Sequence, residues 1–153
     1  MSPIERDIST YMQAAYAVAL KGMENGEVPV GAVVVHDGAI IARTHNQVET
    51  LHDPTAHAEM IAITQAAAAL KSKFLSGAEM YVTLEPCPMC AMAAVLAKLK
   101  KLVFATHDPR TGAAGSIMNI LQNSHLNHKV HVEHGIMGEE CSRLLREFFR
   151  AKR

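Results

Sequence analysis

The chain has 153 residues, the usual length of one domain, so we expect a single domain over residues 1–153. With 49% hydrophobic and 20% charged residues, it can bury a core, and its composition excludes an intrinsically disordered protein. The formal net charge of +0 argues against a strongly basic nucleic-acid-binding protein. The charge is uneven, however, because KLKK at 98–101 and RLLREFFRAKR at 143–153 are both basic.

Cysteine use and hydropathy point to a cytoplasmic protein that has no membrane span. Three cysteines are too few for a disulfide-stapled secreted fold, and the N-terminal MSPIERDIS lacks the apolar stretch of a secretory signal. Apolar runs such as AMAAVLA are far shorter than the roughly 20 residues that cross a bilayer. In the cytoplasm, a C-x-x-C motif is more often metal-binding or redox-active than a structural disulfide.

The first part of the chain predicts a helix and then a β-hairpin. Ser2 and Pro3 are suited to cap and start the helix, whose apolar pattern continues to about Gly22. The segment VPVGAVVVHDGAIIARTHN consists of two β-branched runs around Asp37 and Gly38, which predicts two strands joined by a tight turn.

The remainder predicts alternating helices and strands. Thr55 is suited to cap an Ala-rich helix, and EMYVTL at 79–84 predicts a strand followed by a helix from about Pro88. KLVFATH predicts a further strand, and DPRTGAAGSIMNIL predicts a loop leading into a short helix capped by Ser116. HKVHVEH alternates like an edge strand, and a basic amphipathic helix begins near Gly138.

This order of elements predicts an α/β fold with a mixed five-stranded sheet and helices on both faces. The hairpin should be antiparallel, and strands that are joined through helices should be parallel.

Two predicted helix starts carry candidate metal ligands and an acid–base group. The first, TAHAE, contains His57 and Glu59, and the second, EPCPMC, contains Cys87 and Cys90. Residues three apart share a helix face, and a helix N-terminus stabilises the thiolate that a metal ion requires. Apart from this pair the chain has only Cys141, which is more simply explained as a buried core thiol.

A closed structural zinc site needs four protein ligands, whereas His57, Cys87 and Cys90 would leave the fourth position to water, as in a catalytic site. Glu59 would then be free to accept a proton from that water. Two alternatives remain. The cysteines could be a redox pair, and Glu59 could be an ordinary first-turn carboxylate that interacts with the helix dipole.

These residues match the H-x-E and P-C-x-x-C signature of the zinc nucleobase deaminases, whose mechanism is known. With EVPVGAVVV, HDPTAHAE, YVTLEPCPMC, TGAAGS and the ending FFR, the chain resembles the bacterial tRNA-specific adenosine deaminases from about Ser9 to Arg153. These enzymes form inosine at the anticodon wobble position. The resemblance implies a three-layer α/β/α, cytidine-deaminase-like fold, with one Zn²⁺ per subunit on His57, Cys87 and Cys90, and Glu59 as proton shuttle.

The resemblance also implies roles for residues around the metal. Asn46 would hold the target nucleoside, Asp108 would lie in the loop that contacts the flanking nucleotide, and Phe149 would approach the anticodon bases. Arg110 in the same loop is a candidate phosphate contact. The implied partners are a tRNA anticodon stem-loop and a second copy of the chain in a homodimer.

Two other functions remain open on sequence alone. The cores TAHAE and EPCPMC, including Pro88, are shared with guanine deaminases, so a deaminase of free guanine, cytosine or a nucleoside is possible. Guanine deaminases lack VPVGAVVV and TGAAGS, which favours the tRNA substrate. A zinc-stabilised RNA-binding protein without activity is the non-enzymatic alternative, and the presence of Glu59 argues against it.

Overall fold

The computed structural model describes residues 3–152 and contains one five-stranded sheet with five helices. The predicted cap Ser2 lies outside the described residues. No helix among those residues is long and apolar enough to cross a membrane. In chain order, the elements are α1 (Pro3–Glu24), β1 (Gly31–His36), β2 (Ala39–His45), α2 (Val48–Leu51), α3 (Ala58–Leu70), β3 (Glu79–Leu84), α4 (Pro88–Leu96), β4 (Lys101–Thr106), β5 (His131–His134) and α5 (Gly138–Ala151).

The sheet is mixed, as predicted, with the strand order β2-β1-β3-β4-β5. Strand β1 is antiparallel to both β2 and β3, whereas β4 is parallel to β3 and to β5. Asp37 and Gly38 form the hairpin turn with φ angles of 50° and 78°. Two successive positive φ values match the right-handed twist of the flanking strands, which explains the Asp-Gly pair.

Alternate strand residues bury opposite faces of the sheet, which gives the predicted three layers. On one face Val34, Val82 and Phe104 belong to a core that includes Ala62 of α3 and Ala94 of α4. The other face contributes Val33, Tyr81 and Val103 to a core with Met12 of α1 and Cys141 of α5. Helix α1 lies so close to β1 that a Cβ on Gly31 would overlap the carbonyl oxygen of Ala15.

The helix that carries His57 begins later than predicted. His57, not Thr55, occupies the N-cap position of α3. The amide and hydroxyl of Thr55 instead donate to Asp53 Oδ1 at 2.8 and 2.7 Å. This local turn satisfies Thr55 before the helix starts, so Thr55 cannot cap it.

The short helix predicted after Ser116 is wrong, and a helix that was not predicted lies elsewhere. Residues 107–130 contain turns and one isolated bridge between Ala114 and Asn119. The amides of Ala114 and Ser116 donate to the side chain of Glu85, and Gly115 between them has a φ of 130°, which is outside the helical region. The unpredicted α2 has four residues, too few for a helical periodicity to be visible in the sequence.

Candidate metal and catalytic site

The N-termini of α3 and α4 meet and bring three candidate metal ligands together. His57 and Cys87 are the N-cap residues of these helices, and Cys90 lies in the first turn of α4. His57 Nδ1 is 3.6 Å from the Sγ atom of Cys87 and 3.6 Å from that of Cys90. Each residue offers one ligand atom, and the three atoms lie within 4.8 Å of one another.

The spacing and chemistry of this group fit a tetrahedral metal ion. Zinc bonds of about 2.0–2.1 Å to nitrogen and about 2.3 Å to sulfur place two tetrahedral ligand atoms about 3.6 Å apart. The two measured nitrogen–sulfur distances have this value. One imidazole and two thiols are also a donor set that zinc prefers. His57, Cys87 and Cys90 are therefore able to bind a metal ion.

The electrostatics of the group favour a cation. A hydrogen bond from the Cys90 thiol, with further support from His57, lowers the pKa of Cys87 to about 4. The same hydrogen bond, together with burial, raises the pKa of Cys90. The pair therefore releases its first proton readily, and a metal ion displaces the second because it binds thiolates rather than thiols.

Glu59 lies beside the metal-ligand group as a buried carboxyl, with an exposed fraction of 4%. Burial raises the pKa of Glu59 to about 7, and the negative charge of Cys87 adds to this increase. A carboxyl group with a pKa near neutrality is able both to accept and to donate a proton at physiological pH.

An open cleft of about 420 Å³ gives access to His57, Glu59 and Cys87. All three residues expected to contact substrate also line this cleft, namely Asn46, Asp108 and Phe149. The cleft thus brings together six of the seven predicted site residues, and Cys90 lies behind Cys87 as the buried member of the pair.

Asn46 is fixed between β2 and α3. Its side-chain Oδ1 accepts the backbone N–H of Ala58 at 2.8 Å, and its backbone N–H donates to the carbonyl of Val30 at 3.1 Å. Because Oδ1 is engaged at the start of α3, the side-chain NH₂ is the group that Asn46 can offer to a ligand.

Asp108 and Arg110 lie in one turn on the cleft wall. Asp108 Oδ1 accepts the amides of Arg110 and Thr111 at 2.9 and 3.3 Å, and Oδ2 accepts the Thr111 hydroxyl at 3.1 Å. The Asp108 carboxylate therefore shapes its own turn, and its contact with a substrate stays a prediction. Arg110 is exposed on this turn.

The two aromatic residues of α5 have different environments. Phe148 is buried with an exposed fraction of 9%, whereas Phe149 is 45% exposed and lines the cleft. A second groove of about 580 Å³ shares Phe149 and Arg110 with the cleft. This basic groove also contains Arg146, Arg150 and Lys152.

Comparison with known proteins identifies the family. Residues 6–153 match the family model of the MafB19-like deaminases. The chain is 50% identical over 143 residues to the tRNA-specific adenosine deaminase of Bacillus subtilis, covering 94% of this chain and 89% of the relative. The chain belongs to the tRNA-specific adenosine deaminases. The sequence-based recognition of this family is confirmed.

Solved structures extend this relationship to the fold. A structure from a study of A-to-I editing by tRNA:A34 deaminases has a TM-score of 0.86 and 40% identity, and the match covers 89% of this chain and 99% of that one. Guanine deaminase from Bacillus subtilis has a TM-score of 0.61 and 42% identity, and the match covers 64% of this chain and 63% of that one. The cytidine-deaminase-like fold expected from the sequence is confirmed.

Sequence reasoning missed two buried glutamates near the cleft of this deaminase. Glu27 and Glu85 are only 1% and 2% exposed, and both line the cleft. Glu27 accepts hydrogen bonds from backbone amides of α2, and Glu85 accepts them from backbone amides of the loop after β4. In the sequence, Glu85 stands between an apolar strand and Pro86. A charged residue that is buried at such a position needs hydrogen-bond partners, and this was the one sign that Glu85 has a structural role.

Proposed function

We propose that this chain catalyses the zinc-dependent hydrolytic deamination of adenosine to inosine at the wobble position of a tRNA anticodon, with release of ammonia. The observation that carries the proposal is the His57–Cys87–Cys90 group beside buried Glu59, in a member of the tRNA-specific adenosine deaminases.

In the proposed site, His57 Nδ1 and the sulfurs of Cys87 and Cys90 hold one Zn²⁺ per subunit. Three protein ligands leave an open position, which is characteristic of catalytic rather than structural zinc. When bound, zinc lowers the pKa of a water molecule toward neutrality and so provides hydroxide near pH 7.

Glu59 would carry the protons of the reaction. Its buried carboxylate accepts a proton from the attacking water and delivers it to N1 of adenine, which makes C6 electrophilic. After attack at C6, the same carboxylate takes the remaining proton from the new hydroxyl group on C6 and gives it to the departing amine, so that ammonia leaves as the C6 carbonyl of inosine forms. Burial raises the pKa of Glu59, which suits a group that must both gain and lose a proton in one turnover. Asn46 would orient the nucleoside through its side-chain NH₂.

The walls of the cleft support an RNA substrate. Adenine must leave its stack to reach Glu59, and unstacked bases are held by aromatic side chains beside a basic groove. Phe149 is exposed at the cleft, and the basic groove continues outward from it. Asp108 and Arg110 on the opposite loop would face the flanking nucleotide, with Arg110 near a phosphate.

A deaminase of a free base or nucleoside remains the second candidate. The similarity to Bacillus subtilis guanine deaminase favours it, because that protein is named for a free-base substrate. A free-base enzyme would close over its ligand, whereas the present cleft is open and continues into the basic groove.

We further infer that residues 1–153 act as one domain, in a cytoplasmic homodimer. Several large apolar side chains are exposed on this chain and would be available to an interface with a second copy. Leu96 is 65% exposed, and Ile117 and Met118 are 55% and 44% exposed. Light scattering coupled to size exclusion should give about twice the 16.6 kDa mass of one chain.

The decisive experiment is incubation of the purified protein with an anticodon stem-loop that carries adenosine at the wobble position, scored for inosine. Free adenosine, cytidine and guanine are assayed in parallel. We expect inosine in the stem-loop alone. Turnover of guanine or cytidine instead would leave the metal chemistry in place and overturn the proposed substrate.

Glu59→Ala tests the proposed proton transfer in the same assay. It should retain zinc and lose about 10²–10⁴ in rate, because a positioned acid–base group contributes that much. Glu133→Ala is the matched control, since Glu133 lies on edge strand β5 and is not part of the cleft. Activity of Glu59→Ala equal to that of the control would contradict the mechanism.

A further inference from the structure

Residues 107–116, here called the cleft loop, are held by a single buried side chain, and the first five of them line one wall of the cleft. The Glu85 carboxylate accepts the amides of Asp108, Ala114 and Ser116 at 2.9, 2.9 and 3.0 Å. His107 Nδ1 lies 3.2 Å from Glu85 Oε1, and the Ser116 hydroxyl contacts the same oxygen. These contacts hold the first and the last residues of the cleft loop to the same carboxylate.

Both oxygens of Glu85 are required by this arrangement. Oε1 faces the Asp108 amide, His107 and the Ser116 hydroxyl, while Oε2 faces the amides of Ala114 and Ser116. A carboxylate has acceptors on both oxygens, whereas an amide side chain of the same shape has a donor at one position. Gln at position 85 would therefore turn an NH₂ group either toward the Asp108 amide or toward the amides of Ala114 and Ser116, and would leave at least one backbone donor without an acceptor.

The cleft loop is also shaped to fit Glu85. Gly112 is buried against the carboxylate, and a Cβ there would overlap the Glu85 carboxyl atoms. The requirement for glycine is thus steric at this position, and it is independent of the hydrogen bonds. Two separate features of the loop, its amides and its glycine, are complementary to the same buried side chain.

Glu85 connects the cleft loop to the segment that carries a candidate metal ligand. It follows β3 and stands two residues before Cys87, and the amide of Ala113 donates to the carbonyl of Pro86 at 2.8 Å. The loop residues Asp108–Thr111 line the cleft without belonging to the metal-ligand group. The position of the cleft loop relative to the metal-ligand group is therefore set by Glu85.

We propose that Glu85 is a positioning residue that holds the cleft loop in register with the metal-ligand group and thereby determines affinity for the RNA substrate. The proposal rests on the proposed tRNA deaminase function. The residues that Glu85 orders would contact the substrate and take no part in proton transfer. Replacing Glu85 should therefore raise KM for the stem-loop and leave kcat nearly unchanged.

The test compares steady-state kinetics on the wobble-adenosine stem-loop for the wild-type protein and Glu85→Gln, with zinc content measured on the same samples. We expect KM to rise about tenfold, because buried donors lose their acceptor, while kcat stays within about twofold and zinc is retained. Glu79→Gln is the matched control, since Glu79 lies at the other end of β3 and pairs with Lys101 at 3.7 Å. Its KM should equal that of the wild type.

Gly112→Ala perturbs the same contact from the loop side and keeps Glu85 intact. It should raise KM in the same way, and it provides the test if Glu85→Gln does not fold. A loss of kcat together with zinc, at unchanged KM, would overturn the proposal by showing that Glu85 only supports the metal-ligand group. Unchanged kinetics in both variants would overturn it as well.

Amide hydrogen exchange without substrate separates this proposal from the proposed function. The amides of Asp108, Ala114 and Ser116 should exchange at least about tenfold faster in Glu85→Gln than in Glu79→Gln. If the wild-type protein forms no inosine, the proposed function fails while this measurement still decides whether Glu85 orders the loop. Equal exchange in both variants would overturn the positioning role.

Discussion

The cysteines occupy two different environments. Cys87 and Cys90 face the imidazole of His57 at helix N-termini, whereas Cys141 is 2% exposed in the core between α5 and the sheet. Burial raises the pKa of Cys141 to about 12, so its thiol stays protonated and inert at neutral pH. Only the first two are suited to bind a metal ion as thiolates.

This contrast gives a prediction with an internal control. Cys90→Ala should lower the zinc content from about one ion per chain to nearly none, because a site with two protein ligands binds zinc weakly. Cys141→Ala should retain zinc and lose about 1 kcal/mol of unfolding free energy, since it removes a buried sulfur from the core. Metal analysis and urea unfolding of both variants check this. Equal zinc content in the two variants would contradict the assignment of Cys90.

The sequence was informative about residues whose spacing is local. Cys87 and Cys90 are three residues apart at the start of α4, and His57 and Glu59 are two residues apart at the start of α3. All four residues come together once the N-termini of these two helices meet. Glu85 could not be found in this way. Its partners are 22 to 31 residues away in a loop without regular structure, and no periodicity predicts which amides fold over a carboxylate.

At the scale of elements, the regular strands and long helices were predictable because each shows its own period over six or more residues. The exceptions are short segments in which a side chain competes for backbone amides. Glu85 binds the amides of Ala114 and Ser116 and holds that segment in a turn, and Asp53 binds the amide of Thr55 in a turn ahead of α3. The contacts of Glu85 are tertiary and override local propensity, whereas Asp53 acts on Thr55 through a local turn.

Helix α2 provides a pH-dependent prediction at this scale. Glu27 accepts the amides of Glu49 and Thr50 at 3.0 and 2.7 Å and the Thr50 hydroxyl at 2.6 Å. Burial alone would raise the pKa of Glu27, but these hydrogen bonds outweigh it and leave the pKa below its ordinary value of 4.5. The stabilisation is therefore complete above about pH 4.5 and is lost as the pH falls through the lowered pKa.

We expect Glu27→Gln to be less stable than the wild type by about 1–3 kcal/mol at neutral pH, with the difference shrinking below about pH 4. Thermal unfolding of both proteins between about pH 7 and pH 3 measures this. Glu24→Gln, at the exposed end of α1, is the control and should follow the wild type throughout. A difference that stays constant with pH would show that Glu27 acts through packing and not through its charge.

At the scale of the whole molecule, the distribution of charge determines phosphate binding more than the net charge does. The net charge is +0, yet Arg146, Arg150 and Lys152 all lie in the basic groove beside the cleft. Arg146 is paired with Glu139 at 3.5 Å, and among residues 3–152 no ion pair involves Arg150 or Lys152, so these two cations keep the groove basic. A neutral chain can therefore present a local surface that attracts phosphates.

This distribution predicts how binding depends on salt. Arg150→Gln with Lys152→Gln should weaken binding of the anticodon stem-loop and make the slope of log K against log salt less steep by about 1.4, since each lost phosphate contact contributes about 0.7. Lys21→Gln with Arg43→Gln removes the same charge from exposed positions outside the cleft and the basic groove. Fluorescence titrations over a range of salt compare the two double variants. If both change the slope equally, net charge governs RNA binding; a change in the first alone assigns the phosphate contacts to the groove.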